Sequence, residues 1–193
     1  MNKTDKTSTK YLNDNLLPLI ESIQPKKSQS SILKALDLDR YSGNGILVTF
    51  GERIERFWNK VISDSSVKNL IEDNNMVEIN NKDRQIDHLF LTCDGRVIYL
   101  ESKCNLDFDS EKVKASNRKI QEIKEKVGAD EAGYFNPVKS IIDQKNITKY
   151  NNKGLNVYGV KWFLTNVDAP FSEEEFFTYL KEVIAPVLVE KGL

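Results

Sequence analysis

Two rhythms of apolar residues run along the chain. In FGERIERFWNKVIS, residues Ile54, Phe57, Val61 and Ile62 recur three and four apart, the spacing of one helical face. Gly51 can open that helix, and SGNG at 42–45 reads as the turn before it. Upstream, LNDNLLPLIESI (12–23) and residues 29–38 suit short helices, as does 66–73. The rhythm then changes. RQIDHLFLTC (84–93) and RVIYLESK (96–103) predict two strands about a turn at Asp94-Gly95. Asp109 or Ser110 can cap a following helix that stops before Gly128. Residues 129–153 are mixed: GYFNPV, a helical pattern around Ile141-Ile142, then a polar stretch ending KYNNKG. NVYGVKWFL (156–164) predicts a third strand. Ser172 and Glu175 form a capping box for a last helix whose apolar side includes Phe176, Leu180, Val183 and Val187. Pro186 should bend or interrupt it. Helices around a small sheet make a layered α/β domain.

The 193 residues suffice for one domain, 1–193, with the polar stretch 1–11 as a flexible tail. That stretch has no apolar segment of the kind a secretory signal needs, and no run approaches membrane-spanning length. Cys93 and Cys104 fit neither a disulfide framework nor a zinc pattern, so a reducing, cytoplasmic setting is the expectation. The formal net charge of −1 does not announce a polyanion partner, but the charge is uneven. Residues 112–126 carry Lys112, Lys114, Arg118, Lys119, Lys124 and Lys126 against Glu122 and Glu125. Such asymmetry permits a local basic surface, or simply a solvated helix face.

An acid, one residue, then lysine occurs three times: Glu101-Ser102-Lys103, Glu122-Ile123-Lys124 and Asp143-Gln144-Lys145. Only the first ends an apolar strand, where positions two apart project from one face. A second carboxylate, Asp87, opens the preceding strand. The turn decides whether the two meet. A two-residue loop of Asp94-Gly95 would set His88 opposite Glu101. A three-residue loop, Cys93-Asp94-Gly95, pairs Thr92 with Arg96 and sets Asp87 opposite Glu101. That loop is the type I turn with a bulge, which wants glycine last, and Gly95 is there. Cross-strand partners have Cβ atoms roughly 5 Å apart. Two carboxylates so placed repel unless a cation lies between them, and hard oxygen ligands suit Mg²⁺. Lys103 could orient a water or neutralise developing charge. Taken alone, Glu101 and Lys103 read better as a surface salt bridge; Asp87 in register and the basic helix that follows turn the reading toward chemistry.

Ile86-Asp87, thirteen intervening residues, then Glu101-Ser102-Lys103 resembles the signature of the PD-(D/E)XK nuclease superfamily. Ile86 stands where the motif's name has proline. The resemblance covers about residues 51–127, and ESKCNLDFDSEKVKASNRKI is most similar to small type II restriction endonucleases. It implies a restriction-endonuclease-like core, with a small mixed central β-sheet flanked by α-helices on both faces. The implied activity is Mg²⁺-dependent hydrolysis of both strands of a short, palindromic site in double-stranded DNA, by a homodimer. A repair or junction-resolving nuclease of the same fold and a non-catalytic DNA-binding module are the alternatives. Asp87 and Glu101 would hold the metal, with the Ser102 carbonyl as a further ligand, and Lys103 would act on the attacking water. Glu55, which shares a helix side with Trp58 and Ile62, would support the site in preference to Glu52. A solvated charge is its plain alternative.

The helix after Lys103 places Lys112, Lys114, Asn117 and Arg118 where phosphates would pass. Residues 134–153 hold side chains able to read bases, among them Asn136, Gln144, Lys145 and Lys149. The same segment could be polar surface in a chain rich in Asn and Lys. His88 is the only histidine, so paired-histidine metal sites are excluded, and Trp58 and Trp162 are expected in the core.

Overall fold

Gly95 sets the register of the central hairpin. It takes φ +86°, a left-handed conformation that a side chain would resist. Its N–H donates to the Thr92 carbonyl at 3.0 Å, and the Thr92 N–H donates to the Arg96 carbonyl at 2.9 Å. This is the three-residue loop. The computed structural model describes residues 3–24, 43–71, 75–104, 110–139 and 156–192. Its strands are β1 (Lys68–Asn69), β2 (Met76–Ile79), β3 (Lys82–Gln85), β4 (His88–Leu91), β5 (Val97–Ser102), β6 (Glu131–Phe135) and β7 (Asn156–Tyr158). Its helices are α1 (Lys3–Asn15), α2 (Leu17–Glu21), α3 (Gly43–Asp64), α4 (Ser110–Val127), α5 (Val160–Asn166), α6 (Glu173–Tyr179) and α7 (Ala185–Glu190).

The chain forms two compact units, Trp58–Ala169, and Met1–Phe57 with Pro170–Leu193. In the first unit a five-stranded sheet runs β1-β4-β5-β6-β7. β4 is antiparallel to β1 and β5, whereas β5, β6 and β7 are parallel. One face carries Leu89, Tyr99, Ala132 and Tyr134, which pack against Ile120 and Ile123 of α4. The other carries Phe90 and Phe135, which meet Trp58 and Phe163 of α5 at ring separations of 4.7–5.9 Å. Helices therefore cover both faces, and the expected mixed α/β fold holds. The order is also the one the resemblance implies: acid, antiparallel acid-x-Lys strand, helix. A separate hairpin of β2 and β3 turns at Asn80 and Asn81, whose φ angles are +53° and +57°. Two positive φ angles in sequence suit the twist of a two-residue hairpin loop.

In the second unit, Leu12, Leu16, Ile20 and Ile23 are fully buried. Tyr11, Phe57, Phe171 and Phe176 form a ring cluster. The Tyr179 hydroxyl donates to Asn13 Oδ1 at 2.6 Å. The predicted capping box is present: Ser172 and Glu175 exchange hydrogen bonds at 2.6 and 3.2 Å. Pro186 has no N–H for the preceding turn, and a π-helical segment, Leu180–Ile184, stands before it. Among the described residues no helix is long and apolar enough to cross a membrane, and Cys93 and Cys104 are free thiols.

Several elements differ from the pattern read in the sequence. The tail is helical from Lys3, because Ser8 and Leu12, four apart, are buried. SGNG is not a turn throughout: α3 begins at Gly43. Buried Ile46 extends the stripe of Ile54 upstream, and that packing outweighs the roughly 1 kcal/mol each helical glycine costs. Lys68 and Asn69 are extended, opposite Leu91 and Phe90, where a helix was predicted. The predicted strand 84–93 is two strands, parted where the Ile86 N–H turns to the Asn75 carbonyl at 2.8 Å. The strand at 156–164 stops after Tyr158, and α5 follows from Val160. Val160, Phe163 and Val167 are buried at helical spacing. The helix predicted at 29–38 and the pattern at Ile141-Ile142 lie outside the described residues.

β6 was not legible as a strand. It holds Gly133, where an added Cβ would stand 2.5 Å from the Asn156 carbonyl oxygen and 2.9 Å from a ring carbon of Tyr158. Gly133→Ala should therefore push β7 off β6 and cost about 2 kcal/mol. Urea unfolding measures this. A loss below about 0.5 kcal/mol, the range of surface changes, would show that β7 yields freely.

Candidate active site

β5 alternates faces, so Tyr99, Glu101 and Lys103 project toward α4 while Leu100 and Ser102 project away. The register His88 to Leu100 and Leu89 to Tyr99, carried one step further, sets Asp87 opposite Glu101. Both carboxylates are buried, at 5% and 4% exposure. A buried carboxylate needs donors or cations, and the two are served unequally. Glu101 Oε2 accepts from the Lys119 ammonium at 2.7 Å and from the Tyr99 hydroxyl at 3.0 Å. Its Oε1 faces the Lys103 ammonium at 3.1 Å. Asp87 Oδ2 accepts from the Ser102 backbone N–H at 2.8 Å.

The electrostatics follow. Burial first, then the charge of Glu101, push the Asp87 carboxyl up from 3.8 to about 6, although Lys103, the Ser102 N–H and Lys119 pull the other way. Burial also opposes the Glu101 charge, but Lys103 and Lys119 outweigh it and hold that carboxyl below its ordinary value. Burial and then Glu101 push the Tyr99 hydroxyl far up, so it remains a donor. Glu101 is thus well compensated, whereas at Asp87 the two lysines and the Ser102 N–H do not outweigh burial and the neighbouring charge.

A divalent cation fits that donor set. Two oxygen acids share a face on adjacent strands, and Asp87 is the one a cation would relieve. Among the described residues no group of three or more His, Cys, Asp or Glu gathers. Mg²⁺ suits so sparse a set, because it keeps several waters and takes one or two carboxylates. His88 is no ligand. It is wholly buried on the opposite face, beside Phe135. Its Nδ1 stands 2.6 Å from Asn59 Oδ1. Burial lowers its pKa to about 3.

The other candidate residues divide. Lys114 and Arg118 are exposed on α4 and Asn117 is half-buried. The side chain of Lys112 lies outside the described residues, as do Gln144, Lys145 and Lys149. Asn136, expected as a base reader, lies inside the fold. It is fully buried, its amide donates to the Cys104 carbonyl at 3.2 Å, and its oxygen accepts the Val138 N–H at 3.1 Å. Trp58 is core as expected, and Trp162, half-buried, stacks on Tyr158 at 3.8 Å. Glu55 and Glu52 belong to the part of α3 in the other unit, Glu55 half-buried and Glu52 exposed. The sequence reading passed over Lys119 and Tyr99. Lys119 stands four residues before buried Ile123, hence on the inward side of α4, and Tyr99 shares a strand face with Glu101. Both signals are visible in the pattern once the sheet order is known.

No family model matches the chain, and no curated protein matches it. Among solved structures it is similar to Can2 from Sulfobacillus thermosulfidooxidans in complex with cyclic tetra-adenylate (cA4). That match has 14% identity and a TM-score of 0.41, and it covers 95% of this chain and 57% of that one.

Proposed function

We propose that the chain is a Mg²⁺-dependent nuclease of the PD-(D/E)XK kind that cuts double-stranded DNA as a type II restriction endonuclease. The observation that supports this best is the union of Asp87, Glu101 and Lys103 on one sheet face beside α4. Asp87 and Glu101 would hold Mg²⁺, with the Ser102 carbonyl as a further ligand. When bound, the ion supplies an acidified water and offsets charge on a phosphate oxygen. The Lys103 ammonium, its side chain 35% exposed, can reach solvent and substrate. There it orients the attacking water and counters negative charge on the phosphodiester. Lys114 and Arg118 would take phosphates and position the duplex without reading it. A palindromic site matches a two-fold protein, so the active form would be a homodimer cutting one strand per subunit.

The test is digestion of a long linear duplex with Mg²⁺, with EDTA as control. Discrete fragments are expected. Cutting of branched or damaged DNA alone would favour a repair or junction-resolving nuclease. Binding without cleavage of any DNA would leave a DNA-binding module.

A further inference from the structure

The two lysines on Glu101 are not equivalent. Oε2 receives two donors, Lys119 Nζ at 2.7 Å and the Tyr99 hydroxyl at 3.0 Å. Tyr99 is fully buried. Lys119 stands next to Ile120 and four residues before Ile123, both fully buried, so its stem is fixed to the packed side of α4. Oε1 has a single, longer contact, Lys103 at 3.1 Å. Lys103 lies beyond the end of β5, and its side chain is more exposed than that of Lys119, 35% against 24%. A carboxylate oxygen offers about two lone-pair directions. Those of Oε2 are taken by groups that the fold holds in place. One of those on Oε1 faces Lys103, the more exposed of the two lysines.

We propose that Lys119 is a positioning residue which, with Tyr99, occupies Glu101 Oε2, so that Oε1 and Asp87 take one divalent cation per chain. This rests on the reading of Asp87 and Glu101 as metal ligands. Lys119 does two things. It fixes the Glu101 carboxylate in one orientation, and its charge repels a second cation from Oε2. Without it, Oε2 keeps only the Tyr99 hydroxyl, and the buried carboxylate has one less positive neighbour. The site would then gain metal while losing the orientation that chemistry needs.

The experiment is titration of the full-length chain with Mn²⁺, with free ion followed by electron paramagnetic resonance. The wild type is expected to bind one Mn²⁺. Lys119→Met is expected to bind two, the first at least tenfold more tightly, while duplex cleavage falls more than tenfold. Lys119→Arg, which keeps the charge, is expected to return the count to one, and it carries the test if the Met variant does not fold. Two ions bound by the wild type or by Lys119→Arg would overturn the proposal. So would unchanged or weaker binding by a folded Lys119→Met. A wild type that binds no Mn²⁺ overturns the metal-ligand reading itself, and the proposal with it.

Discussion

Asp87→Ala and Lys103→Ala should each lower Mg²⁺-dependent cleavage roughly 1,000-fold, the scale of losing a group that stabilises charge or handles a proton. The two losses have different origins. Without Asp87, the proposed cation would keep one carboxylate ligand in place of two. Without Lys103, both carboxylates remain, and Glu101 is still held by Lys119 and Tyr99. Lys103→Ala should therefore retain metal binding while losing turnover. Its fold should lose about 1–3 kcal/mol, because buried Glu101 gives up one of its two cations. Asp87→Ala leaves the Ser102 N–H without its acceptor, a penalty of about 1–3 kcal/mol. It also removes a repulsive charge. Circular dichroism controls for folding. Binding of the duplex in Ca²⁺ should persist in both variants. Cleavage by either variant above a tenth of the wild-type rate would remove these residues from the chemistry.

What the sequence disclosed, and what it hid, separates by the range of the interactions. The hairpin of β4 and β5 is local: one glycine at the last loop position chose the register, and the register brought Asp87 to Glu101. The capping box of α6 is local too, as are the start and stop of α4. β6 is different. Its five residues pair in parallel with β5 across the whole of α4, so nothing adjacent in sequence marks them as a strand. In NVYGVKWFL, aromatic and β-branched residues favour a strand, yet Val160 and Phe163 are three apart and both are buried. Tertiary burial overrode local preference there. Lys119 is the clearest case at the site. On its own helix it belongs to a basic run. Only the packing of α4 on the sheet turns it toward Glu101. Asn136 is the reverse: a side chain able to grip a base is bound instead to two backbone groups of its own unit.

Metal-free Asp87→Asn should be more stable than the wild type at pH 8, by about 1–3 kcal/mol. Asp87 has a folded pKa of about 6, above its ordinary 3.8. The folded chain therefore holds this proton more tightly than the unfolded chain does. The stability so contributed is fully present below pH 3.8 and is lost as the pH rises toward 6. Above that, the charged carboxylate works against the fold. The interval corresponds to roughly 3 kcal/mol. Glu101 acts oppositely: its lowered pKa gives stability at neutral pH that is lost on acidification. Removing the Asp87 charge also relieves Glu101, so that contribution adds to the gain of Asp87→Asn at neutral pH and fades with it on acidification. Asparagine keeps an oxygen for the Ser102 N–H and removes the charge. Thermal unfolding in EDTA should show a higher Tm for Asp87→Asn at pH 8, by several degrees for a chain of this size, and no gap near pH 4. Saturating Mg²⁺ should raise the wild type and narrow the difference, since a ligand of the folded state stabilises it by mass action. A Tm for Asp87→Asn below the wild type at pH 8 without metal would mean that Asp87 is not under electrostatic stress, and the fit of a cation beside it would lose its physical basis.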